Sequence, residues 1–115
     1  MEKDKKSGKM ELLPGTLEML ILKTLEQGGV MHGYGIAGQI RQVSKDVLQV
    51  EEGSLYPALQ RMQIKGWVAS EWGHSANNRR ARYYRLTPAG RKQLGIEEAN
   101  FERVLEAILR VMQTA

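Results

Sequence analysis

The spacing of apolar residues along the chain predicts helices first. In "PGTLEMLILKTLEQGG", Leu17, Leu20, Ile21 and Leu25 recur at helical intervals, while Glu18, Lys23 and Glu26 take other faces. Pro14 or Thr16 can open this helix, and Gly28-Gly29 can end it, because glycine accepts the left-handed backbone of a helix terminus. A connector, "VMHGYG", leads to a second helix, "YGIAGQIRQVS", whose Ile36, Ile40 and Val43 fall at i, i+4 and i+7. Leu48 to Val50 suit one short strand. In "GSLYPALQRMQIKGWV", Leu55, Leu59 and Met62 form a third core-facing stripe. Ser54 suits its N-cap, Pro57 its first turn, where a missing N–H costs nothing, and Gly66 its end.

The period then changes from helical to alternating. "WVASEW" places Val68, Ser70 and Trp72 on one side, and "RYYRL" answers with Arg82, Tyr84 and Leu86 against Tyr83 and Arg85. The intervening "GHSANNRRA" is turn-forming. Tyr83, Tyr84, Trp67 and Trp72 are expected to pack against the helices or cover the sheet. Thr87 as N-cap and Pro88 at the first helical position open a last helix that runs nearly to the end. The expected fold is mainly α (α+β): a winged helix-turn-helix with a two-stranded wing and a long C-terminal dimerisation helix. Residues 1–11 read as a flexible charged arm, 12–87 as the winged unit and 88–115 as the closing helix.

The 115 residues suit one domain with a modest core, and 42% hydrophobic content suits a globular chain. The longest apolar patch, "EMLILKTL", is too short to span a bilayer and is interrupted by Lys23. The first ten residues lack the apolar stretch of a secretory signal, and cysteine is absent, so a cytoplasmic location is expected. The net charge of +4 is mild, but its distribution is not. Between Gly53 and Lys92 eight basic residues face one acidic residue, Glu71, and the sign reverses after Gln93. A basic middle followed by an acidic helix points to a polyanionic partner for the middle.

The third helix carries the chemistry such a partner needs. Its outer face offers Ser54, Tyr56, Gln60, Arg61 and Lys65. Glutamine can bond an adenine edge and arginine a guanine edge, whereas Ser54 and Tyr56 near the helix start suit phosphate oxygens. The four arginines 79, 80, 82 and 85 repel one another on a bare strand and become useful beside phosphates, where counterions are released. A tip with Asn77, Asn78, Arg79 and Arg80 can reach a minor groove or flanking phosphates. In the last helix, Leu94, Phe101, Leu105, Ile108 and Met112 make a heptad-like seam interrupted by Glu98 and widened by Val104, Leu109 and Val111. One small domain cannot cover so broad a stripe, so a homodimer interface is expected there.

The segments "LEMLILKTLEQGGVMHGYGIAGQI", "GSLYPALQRMQIKGWV" and "NNRRARYYRLTPAGRKQL" closely resemble the PadR family of bacterial transcriptional regulators, over roughly Leu12 to Leu94. The resemblance implies a winged helix-turn-helix homodimer on an inverted-repeat DNA operator, usually as a repressor. It implies DNA-contacting roles for Tyr34, Ser54, Tyr56, Pro57, Gln60 and Arg61, and for Arg79, Arg80 and Arg82 in the wing. With one helix after the wing, the chain is similar to the short type, which has less protein in which to build an effector pocket. An effector, if any, stays unspecified.

Enzymatic chemistry is not expected. His32, His74, Asp4 and Asp46 form no triad, metal pattern or carboxylate pair by spacing, and no cofactor or metal site is expected. "GYGIAG" opens a helix with no strand expected before it and reads as a tight entry, not a phosphate loop; His32 reads as a turn residue. The alternative to sequence-specific DNA binding is a winged-helix protein-interaction module whose basic face meets an acidic protein.

Overall fold

The computed structural model describes residues 10–11 and 15–114, with side chains from Gly15 onward. Strand β1 (Met10–Glu11) is followed by α1 (Thr16–Gly28), β2 (Met31–His32), α2 (Gly33–Val43), β3 (Leu48–Gln49) and α3 (Glu52–Ile64). The hairpin β4 (Val68–His74) and β5 (Arg80–Leu86) and the 25-residue helix α4 (Pro88–Met112) complete the chain. The fold is a mainly helical winged helix with a small antiparallel sheet. Leu17, Ile21, Leu22 and Leu25 of α1, Ile36 and Ile40 of α2, and Leu55, Ala58, Leu59 and Met62 of α3 share one core with Val68, Tyr84 and Leu94. Each large apolar side chain so buried contributes roughly 1.5–3 kcal/mol.

The helix ends follow local chemistry. Gly15 is the N-cap of α1, one residue before Thr16, while Pro14 lies outside the described residues. Gly29 (φ 80°) ends α1 and Gly66 (φ 79°) follows α3, both in the left-handed backbone that favours glycine. Helix α3 begins three residues earlier than its capping serine predicts. Glu51 is the N-cap, Glu52 occupies the first turn where the helix dipole favours an anion, and Ser54 sits inside the helix. Pro57 therefore lies in the second turn, and its missing N–H removes the bond to the Gly53 carbonyl; Gly53 is exposed, so water can take that place.

Three further expectations are corrected. The connector "VMHGYG" is not all loop: Met31 and His32 pair with Tyr84 and Tyr83 of β5, so a third strand joins the two-stranded wing in the order β2-β5-β4. Val43, expected in the core, is 68% exposed: α2 ends there, and Lys45 (φ 57°) and Asp46 (φ 67°) turn the chain away. Leu94, expected at the dimer seam, is only 2% exposed within its own chain's core. Of the arm expected over residues 1–11, residues 1–9 lie outside the described residues, and Met10–Glu11 pairs in parallel with Leu48–Gln49.

The start of α4 is fixed as "TPAG" predicts. The Thr87 hydroxyl accepts from the Gly90 N–H (3.0 Å) and donates toward the Gly66 and Trp67 carbonyls (2.6 and 3.0 Å). Gly90 has no side chain because a Cβ there would stand 2.0 Å from the Trp67 carbonyl oxygen. Ion pairs then hold α4 along α1, Arg91 to Glu26 (3.8 Å) and Lys23 to Glu98 (3.3 Å), while Lys23 also pairs with Glu26 within α1 (3.1 Å). The polar interruption of the seam is thus an intrachain tether. From Ala99 to Thr114 every residue is exposed.

Candidate nucleic-acid interface

Helix α3 buries one side and leaves the other bare. At about 100° per residue, the buried Leu55, Ala58, Leu59 and Met62 define the inner direction. Gly53, Pro57, Gln60 and Ile64 then point most directly outward, and all four are exposed. Tyr56 and Gln63 take the flank toward the wing; Ser54, Arg61 and Lys65 take the opposite flank. Tyr56 is 39% exposed, as a residue at the edge of the core face should be. Its ring lies where a Cβ on Gly33 would stand 2.5 Å from its hydroxyl oxygen, so the glycine opening α2 makes room for it.

The pleat of the hairpin sorts the wing residues. Cross-strand pairs Val68–Leu86, Ser70–Tyr84, Trp72–Arg82 and His74–Arg80 share one face. At its base that face enters the core through Val68 and Tyr84, and toward its tip it carries Arg82 and Arg80. Arg85, opposite Ala69, falls on the other face, so the four arginines of the sequence do not act as one cluster. At the tip Asn78 adopts φ 61°, and the Ser75 hydroxyl bonds Asn77 Oδ1 (2.6 Å).

These two surfaces border common space. A groove of about 740 Å³ is lined by Tyr34 of α2, Tyr56 of α3 and, in the wing, Trp72, Asn77, Arg79, Arg80, Arg82 and Tyr84. No Asp or Glu is among its lining residues. An adjoining hollow of about 520 Å³ is lined by Tyr56, Gln60, Gln63, Ile64, Arg82 and Tyr84. The entry of α2 supports the groove: His32 Nδ1 accepts from the Gly35 N–H (3.0 Å) as the N-cap, and its ring meets Tyr83 edge-on at 5.6 Å. Three phenols there titrate above the ordinary 10.0. Tyr34 is raised by the Glu52 carboxylate, as hydrogen-bond acceptor and as a charge; Tyr56 is raised by burial and then by Glu52; Tyr84 is raised by burial, against the opposing charge of Arg82. All three are therefore protonated hydrogen-bond donors at neutral pH.

The expected site residues thus divide. Tyr34, Tyr56, Arg79, Arg80 and Arg82 come together at the groove, Gln60 lines the adjoining hollow, Pro57 lies on the outer face of α3 and Asn78 sits at the tip. Ser54, Arg61 and Lys65 do not join them. The Arg61 guanidinium is held by the Glu18 carboxylate of α1 at 3.1 Å, and Lys65 stands over the Trp67 ring at 4.7 Å. Trp72 is 52% exposed, not sheet cover, with Arg80 and Arg82 at 4.4 and 5.1 Å from its ring. Its alternation with Ser70 was visible in the sequence, but the register that sets it opposite Arg82 was not.

This geometry has well-populated company. The profile described as the transcriptional regulator PadR-like family matches residues 21–96. The chain belongs to the PadR-like family of transcriptional regulators. A PadR-family regulator from Clostridium difficile superposes with a TM-score of 0.72 at 30% identity, over 85% of this chain and 99% of that one. A transcriptional regulator from Clostridium thermocellum gives 0.76 at 29%, over 84% and 92%. A transcriptional regulator from Mycobacterium tuberculosis is 33% identical over 69 residues, 60% of this chain and 64% of that protein. Each of these three is a regulator of transcription. Among the described residues of this PadR-like chain, no three His, Cys, Asp or Glu side chains are grouped to hold a metal, and no helix is long and apolar enough to cross a membrane.

Proposed function

We propose that this PadR-like regulator binds double-stranded DNA sequence-specifically as a homodimer and represses transcription by occluding a promoter. The observation that carries the proposal is the space shared by α3 and the wing: Tyr56 on the flank of α3 borders one groove with Arg79, Arg80 and Arg82, and Gln60 and Ile64 on its outward side border the adjoining hollow with Arg82. On this reading α3 enters the major groove, and Gln60 on its outer face reads a base edge. Tyr34, Tyr56 and the wing residues Asn78, Arg79, Arg80 and Arg82 engage the backbone beside it. Pro57 presents a flat apolar surface to the groove floor. Ser54, Arg61 and Lys65 meet the far phosphate wall, Arg61 after exchanging Glu18 for a phosphate.

Dimerisation completes the proposal. Phe101, Leu105, Ile108 and Met112 lie within about 60° of one another around α4, and they are 42–74% exposed. An exposed apolar stripe of this length marks an interaction surface. Leu94 starts the same line but is covered by its own core, so the seam emerges where the domain ends. A two-fold axis along it sets two α3 helices on half-sites about 34–36 Å apart, hence an inverted repeat.

The test is binding to duplexes selected from a random pool by the protein itself, measured at several salt concentrations. The proposal requires tight binding to the selected duplex that weakens steeply with salt. Equal competition by random RNA or by an acidic protein would favour the protein-interaction module instead.

A further inference from the structure

The contacts between the wing and α3 form a chain that none of the DNA-facing roles above requires. The Arg82 Nε–H donates to Ser70 Oγ at 2.9 Å, and the Ser70 hydroxyl donates to Gln63 Oε1 at 3.1 Å. A wing arginine is thereby joined, through one serine, to the flank of the helix that carries Gln60. From the other side, the Trp72 ring stands 4.4 Å from the Arg80 guanidinium and 5.1 Å from that of Arg82. Trp72 is half exposed and outside the core cluster, so the fold does not explain a large aromatic residue there. An arginine side chain has many rotamers, and two neighbouring guanidiniums repel. An aromatic ring within reach of both, together with a hydrogen bond on one, selects a single arrangement before any polyanion arrives.

We infer that Trp72, Ser70 and Gln63 are positioning residues that set Arg80 and Arg82 at a fixed offset from α3. This rests on the DNA-binding reading and deepens it. The wing and α3 then act as one ruler, and the protein measures the distance between the base pairs read by α3 and the flanking phosphates gripped by the wing. The consequence is a specific pattern. Loss of the Trp72 face leaves both positive charges in place, so the number of counterions released is unchanged. What is lost is the arrangement, and only where flanking DNA is present to be gripped.

The test uses the full chain, a duplex selected by it from a random pool, and the same duplex trimmed of its flanks. The wild-type protein should lose affinity on trimming. Trp72→Leu should bind the full duplex roughly five- to thirtyfold more weakly, the range expected from losing two exposed cation–π contacts, with the salt slope unchanged and no loss on the trimmed duplex. Trp72→Tyr, which keeps an aromatic face, should recover most of the affinity. Ser70→Ala, which removes both the bond to Arg82 and the link to Gln63 without touching Trp72, should show the same flank-dependent loss, at least the roughly two- to tenfold of one net hydrogen bond. Equal losses on both duplexes, a tyrosine variant no better than leucine, or no loss by either variant would overturn the inference. Failure of the wild-type protein to prefer any duplex would instead overturn the DNA-binding reading itself, and this inference with it.

Discussion

Replacing Gly33 by alanine sets two opposed effects against each other at the first residue of α2. Alanine is favoured over glycine in a helix by roughly 0.5–1 kcal/mol. Its Cβ, however, would stand 2.5 Å from the Tyr56 hydroxyl oxygen, 2.7 Å from Cε1 and 2.8 Å from Cζ. Overpacking of this kind costs roughly 1–3 kcal/mol, so the strain wins and the net destabilisation is about 0.5–2 kcal/mol. The lower end is expected, because the partly exposed Tyr56 ring can swing outward. Such a swing carries the phenol away from the groove; if it donates to a phosphate there, a bond worth roughly 1.5–3 kcal/mol is lost, tenfold or more in affinity. Urea midpoints and fluorescence anisotropy on a selected duplex, measured for Gly33→Ala, Tyr56→Ala and the double variant, form a cycle. With the ring removed, the alanine should be neutral or stabilising and should cost no further affinity. An effect of equal size in both backgrounds would refute the contact between α2 and α3 as the cause.

Gly90→Ala meets a harder obstacle, since the Trp67 carbonyl oxygen 2.0 Å away is backbone and cannot rotate aside; a loss of about 3 kcal/mol at the upper end for overpacking is expected in urea titration, and a loss below about 1 kcal/mol would contradict the docking of α4 on that carbonyl. Phe101→Ala should move the protein toward monomer by light scattering after a sizing column while leaving its thermal unfolding at high dilution unchanged; an unaltered dimer would reject the α4 seam. Stability should fall at alkaline pH. Tyr34, Tyr56 and Tyr84 are raised from 10.0 and Lys23 is raised from 10.5, chiefly by its hydrogen bond to Glu26, so in each case the folded chain holds its proton more tightly than the unfolded chain. Their stabilisation is present below the unfolded pKa and is lost as pH rises through the folded one, so urea midpoints should be flat from these groups up to about pH 9 and decline above about pH 10. A midpoint that rises in that range would reverse the sign of the assignment.

Much of the fold was legible because helical and alternating periods are set by local burial. The stripes Leu17–Leu25 and Leu55–Met62, the Thr87-Pro88 start and the hairpin all rest on such short-range chemistry. What escaped depended on tertiary partners. Met31 and His32 have no strand signal of their own and become a strand only because β5 offers them an open edge. Leu94 and Phe101 look alike in sequence, yet the packed core reaches only the first, so one is buried and the other bare. Arg61 and Gln60 are both exposed on α3, but the wheel turns Arg61 to the flank away from the wing, where Glu18 lies within its reach. Trp72 reads as an apolar residue on the inner side of a strand; the hairpin is long enough to carry it past the core, into contact with Arg80 and Arg82.

The claim on which the rest depends is that α3 and the wing grip one DNA duplex in different ways. It is tested most directly by measuring Gln60→Ala and Arg80→Ala side by side on a selected duplex and on random-sequence duplex across a salt series. The account predicts that Gln60→Ala loses roughly 1–3 kcal/mol on the selected duplex alone, with an unchanged salt slope. Arg80→Ala should lose affinity on both duplexes, with the slope reduced by about one. Equal losses from both variants on both duplexes would contradict it.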